Sequence, residues 1–90
     1  MTRAELKRAS EVLESAAGDT TDDAASERVS ELASQLSNLS SADRGPDHGR
    51  LARIEAALDE VQTSVGDEIA ADIENALDEI RTYRETLEGV

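Results

Sequence analysis

Leu51, Ile54, Leu58, Val61 and Val65 stand three, four, three and four residues apart. Only a helix gathers that spacing onto one face, because a turn takes about 3.6 residues whereas a strand alternates at every second one. The same rhythm runs through Ala25, Val29, Leu32, Leu36 and Leu39. It returns in Ile69, Ile73, Ala76, Ile80, Tyr83 and Leu87, where Leu77 widens the stripe. Near the start, Leu6, Ala9, Leu13 and Ala16 repeat it on a narrower, alanine-rich face, with Val12 and Ala17 alongside. β-branched residues nowhere alternate over a useful length, so nothing reads as a strand. The pattern predicts four helices, at about 3–17, 21–40, 47–64 and 67–88.

Local signals place the ends. Thr2 and Glu5 have the spacing of a capping box, in which each side chain accepts from the other's backbone N–H. Gly18 marks a stop, and Thr20 or Thr21 is expected to cap the second helix, with Asp22 and Asp23 in its first turn where negative charge suits the dipole. Gly66 should end the third helix, Ser64 or Asp67 cap the fourth, and Gly89 close it. So short a turn at Gly66 requires the last two helices to lie antiparallel as neighbours.

Four amphipathic helices with short links form an all-α, antiparallel up-down bundle, a single domain over residues 1–90. Its core is thin: nine Leu, five Val and four Ile, no Phe or Trp, and one aromatic, Tyr83. A scaffold of this size often needs a second copy, so self-association is expected. In a variant architecture two long helical hairpins pair as a dimer, with the first helix, the least anchored, packed at the side.

Twenty-one acids face nine bases, of which eight are Arg and one is Lys7, for a net charge of −12. Such a charge loosens a compact state at low ionic strength, but at about 1 M salt the screening length falls to roughly 3 Å. Acids in excess, almost no Lys, many Ala and few bulky apolar residues match a cytosolic protein of an extreme halophile rather than an acidic tail, since tails lack periodicity. An acidic surface argues against direct nucleic-acid binding. With no Cys there is no disulfide or thiolate metal site. No run approaches the roughly 20 apolar residues of a membrane span, and a soluble, cytoplasmic protein without membrane contact is the expectation.

One stretch departs from this monotony. "DRGPDHGR", residues 43–50, holds the only Pro, the only His and two Gly. Read as a corner, Gly45 takes a positive φ to end the second helix, Pro46 opens the third, and Asp47 sits in its first turn. Read as a site, Arg44, His48, Arg50 and Arg53 form a basic spot on an acidic chain, suited to an acidic partner or an anion. A single His with no Cys makes a poor metal centre, and no spacing implies a nucleophile. Glu55 with Asp59, Glu68 with Asp72 and Glu74 with Asp78 stand four apart as in all-α Mg²⁺ enzymes, but they fall off the apolar seams and read as a solvated face. Arg81 and Arg84 are placed to balance Glu85 or Glu88. Tyr83 lies on the seam as a core or interface residue whose hydroxyl reaches the edge.

"GPDHGRLARIE" at 45–55 and "YRETLEGV" at 83–90 resemble a family of small haloarchaeal proteins of unknown function, over nearly the whole chain. That resemblance implies a haloarchaeal cytoplasm and carries no activity, cofactor or catalytic residue. The sequence therefore favours a non-enzymatic helical interaction protein, a homodimer or adaptor with no cofactor, acting through Arg44, His48, Arg50 and Arg53. The alternatives are a Mg²⁺-dependent all-α hydrolase using its acidic faces, or an acidic mimic of nucleic acid.

Overall fold

The computed structural model describes residues 3–87, which form α1 (Ala4–Asp19), α2 (Asp23–Ser41), α3 (His48–Gln62) and α4 (Asp67–Glu85). Among the described residues there is no strand. The helices make a ring in which α1 packs on α2 and α4, while α3 packs on α4 and α2. Short links force ring neighbours to run antiparallel. Contacts between helix ends agree: the Arg3 N–H, before α1, donates to the Ser40 carbonyl at the end of α2 at 2.8 Å. Likewise the Gln62 side chain, closing α3, donates to the Ala70 carbonyl in the first turn of α4. The antiparallel four-helix bundle follows.

The seams turn inward as the spacing predicts. Val29, Leu32 and Leu36 of α2, Leu51, Ile54 and Leu58 of α3, and Ile73, Leu77 and Ile80 of α4 are all at most 2% exposed. Leu39, Val65, Ile69, Tyr83 and Leu87, at the seam ends, are partly buried against this core.

The first helix is not the least anchored element, and it is not at the side. Leu6, Ala9, Leu13 and Ala16 are wholly buried, with Ser10 and Ala17 nearly so, and α1 forms the two most extensive interfaces of the bundle. Small side chains let neighbouring backbones approach from two sides, so an alanine face suits a closely packed helix. Ser10 fits there because its Oγ donates to the Lys7 carbonyl at 2.8 Å, leaving no donor unpaired. Buried Ser40 of α2 does the same with the Ser37 carbonyl.

Several ends differ from the local signals. Thr2 and Gly89 lie outside the described residues, and the N-cap of α1 is Arg3, without a side-chain cap. Helix α1 runs through Gly18 to Asp19, because Thr20 Oγ1 and Ser26 Oγ donate to the Ala16 and Ala17 carbonyls and satisfy its last turn without a glycine stop. The N-cap of α2 is Asp22, which accepts from the Ala25 N–H, so neither Thr20 nor Thr21 has that role. Thr63, not Gly66, is the C-cap of α3, and Gly66 is itself the N-cap of α4, with no side-chain cap from Ser64 or Asp67. Helix α4 ends at Glu85, since the Thr86 and Leu87 N–H groups turn back to the Tyr83 and Arg84 carbonyls.

Candidate functional site

The 43–50 corner is built from both sides of its link. Arg3 reaches across from the start of α1, and its guanidinium donates to the Leu39 and Ala42 carbonyls, each at 2.9 Å. A cation on the orphan carbonyls at a helix C-terminus satisfies both the hydrogen bonds and the dipole. Helix α2 therefore ends with Ala42 as its extended C-cap, and Gly45 does not end it through a positive φ. A Cβ at Gly45 would lie 3.1 Å from an Arg3 guanidinium nitrogen, so glycine makes room for the clasp. Pro46 is buried before the helix rather than at its first position. Asp47 is the N-cap of α3, accepting from the Arg50 N–H at 2.7 Å.

The four predicted contact residues do not form one patch. His48 turns toward α4, where Arg84 Nε donates to its Nδ1 at 3.1 Å. The Arg84 guanidinium also donates to Glu55 Oε2 at 2.6 Å. An acceptor Nδ1 places the ring hydrogen on Nε2. His48 Nε2 and Glu55 Oε1 are buried with no hydrogen-bond partner among the described residues. This is a helix-to-helix brace, and it leaves His48 half-buried and aimed at α4 rather than grouped with the other three residues. Arg44 stays exposed on the link.

Arg50 and Arg53 face the other way, toward α2. There they border a small groove of about 120 Å³ together with Arg28, over Leu32, Ile54 and Ala57. Helices α2 and α3 form the least extensive interface of the ring, which leaves this groove between them. Arg28 also pairs with Glu31 on its own helix at 2.8 Å. Arg50 and Arg53 make no ion pair among the described residues. Three arginines and Gln35 therefore line one small groove on a chain of net charge −12.

The acids that stand four apart are dispersed. Glu55 is committed to Arg84, and Glu74 and Asp78 both to Arg81 rather than Arg81 pairing with Glu85. Glu88 lies outside the described residues. Glu68 and Asp72 line an open cleft at the opposite end of the bundle, together with Asp19, Asp22 and Asp67. Among the described residues, no three His, Cys, Asp or Glu side chains are grouped to hold a metal ion. Across the α1–α4 interface, Arg8 meets Glu79 through two hydrogen bonds, at 3.0 and 3.2 Å. These bonds first, and the carboxylate charge second, hold the Arg8 guanidinium above its ordinary pKa.

Arg28, Arg84 and Arg3 were not singled out by sequence as members of these arrangements. Only one had a usable signal: His48 and Glu55 are seven apart, so two turns put both on one side of α3. No helix of the described residues is long and apolar enough to cross a membrane. A family model described as a family of unknown function (DUF7553) matches residues 1–86. No curated protein and no solved structure matches the chain.

Proposed function

The chain belongs to the DUF7553 family of unknown function, and from that premise we propose that it works by binding protein rather than by catalysis, using the groove between α2 and α3. The observation that carries this reading is the three arginines lining one groove on a chain of net charge −12. Such a site suits a helical or extended segment that brings carboxylates to the arginines. Arg is suited to the rim because its planar fork holds carboxylates bidentately. The medium we propose is molar salt inside a halophile's cytoplasm, supported by 21 acids against nine bases with a single Lys.

A photo-crosslinking residue placed at Ala57, which lines the groove, or at Asn75, on the exposed face of α4, tests the assignment in cell extract at molar KCl. Protein adducts should form from position 57 alone and disappear when Arg28, Arg50 and Arg53 are replaced by Gln. Equal labelling from both positions, or labelling indifferent to the arginines, would remove the groove from consideration.

A further inference from the structure

We infer that the groove between α2 and α3 receives one phosphoryl group, carried as a phosphate monoester on a side chain of the partner segment. The inference rests on the reading of the groove as a protein-contact surface and adds the chemistry of the group that enters it.

Its basis is how the eight arginines of the chain are used. Arg3, Arg8, Arg81 and Arg84 are each held by acceptors from another turn or another helix, carbonyls for Arg3 and carboxylates for the other three. Arg44, Arg50 and Arg53 make no ion pair among the described residues, although 21 acids stand against nine bases. Two of these three meet Arg28 at the groove. Its polar side chains are Arg28 and Gln35 from α2 and Arg50 and Arg53 from α3, and among the described residues no acid lines it. All four can donate hydrogen bonds. Three like charges gathered in one place repel one another until an anion sits among them.

The form of the groove selects the anion. Its volume is about 120 Å³, below the roughly 300–1,000 Å³ of sites that enclose a whole small molecule. It therefore admits one compact group and leaves the carrier outside, on the helix surface, where a protein segment can lie. The donors stand on both walls. A carboxylate brings one charge and two coplanar oxygens, which satisfy a single guanidinium fork. A phosphate monoester brings a charge of about −1.5 to −2 and three acceptor oxygens. Their tetrahedral spread lets one group meet α2 and α3 together while its ester oxygen points out to the carrier. Chloride at molar concentration screens the charges but offers the planar forks no pair of oxygens to hold.

Side-chain NMR of the full chain in molar KCl, following the Arg Nε–H resonances, tests the inference with acetyl-Ala-phosphoserine-Ala-amide as the probe. Saturable shifts are expected at Arg28, Arg50 and Arg53. The same peptide with Glu in place of phosphoserine should bind at least about tenfold more weakly, a comparison that needs no variant. The phosphopeptide should lose at least about tenfold in affinity for R50Q/R53Q, whose circular dichroism should match the wild type. R44Q removes a charge outside the groove and should change the affinity by less than about twofold. Inorganic phosphate and AMP, which lack a protein carrier, should bind no more tightly than the phosphopeptide. Absence of saturable shifts, equal binding of the Glu peptide, or a loss in R44Q as large as in R50Q/R53Q would overturn the inference. Tighter binding of AMP would overturn the protein carrier. Cross-linking from position 57 separates this inference from the reading beneath it. Adducts that persist in phosphatase-treated extract would refute the phosphoryl group and leave the groove as a contact surface. No adducts in untreated extract would refute the groove as a protein-contact surface.

Discussion

Helices α1 and α3 lie diagonally across the ring and do not pack on each other. Judged by aliphatic content, α3 should be the anchor, since it buries Leu51, Ile54, Leu58 and Val61. Yet α1, whose buried face is two Leu, three Ala and a Ser, has the more extensive interfaces on both sides. Bulky side chains bury more area each, but they hold neighbouring backbones apart. Small ones surrender area and gain proximity, so more of the surrounding backbone comes within contact. Centrality in a thin-cored bundle follows from how closely helices approach, not from how greasy each is. The loose side, between α2 and α3, is where the arginine groove opens, so the packing difference and the proposed contact surface have one origin.

The largest test of this contrast is to empty one site in each helix. Leu13 and Leu58 are both 0% exposed. Leu13→Ala should cost about 3–5 kcal/mol because helices on two sides confine the cavity, and Leu58→Ala about 2–3 kcal/mol because α3 can settle inward. Urea unfolding at constant KCl measures both, and equal losses would dissolve the distinction. Overfilling comes next. Ala9 is 0% exposed, so Ala9→Leu should lose about 1–3 kcal/mol. Ala57 is only partly buried, and Ala57→Leu should shift stability by less than about 0.5 kcal/mol. The cap gives a more local test: Asp47→Ala should cost about 1 kcal/mol. It should speed amide exchange in the first turn of α3 and leave α1 unchanged. Faster exchange spread evenly over both helices would mean that they open as one unit.

The corner shows why part of the site was readable in advance. Asp47 beside the exposed N–H groups of α3 is a local matter, settled within three residues, and the structure moves it only from the first turn to the N-cap. Gly45 was legible as a special position, but not its neighbour: Arg3, about forty residues away in sequence, lies against it. His48 and Arg50 stand two residues apart in the first turn of α3, and sequence proximity grouped them. A helix turns about 100° per residue, so two positions turn it far enough to send one toward α4 and the other toward α2. Arg28 joins Arg50 and Arg53 only because α2 and α3 are neighbours, which no local spacing encodes.

The order and number of the helices, and the residues each turns inward, belong to the sequence, because helical periodicity acts within a few residues and water excludes the same face wherever the segment lies. Which helix became central, where Arg3 and Arg84 found their acceptors, and which three arginines share a groove were decided by the tertiary structure. Those outcomes depend on how closely backbones could approach and which side chains then met, and both are properties of the packed helices together.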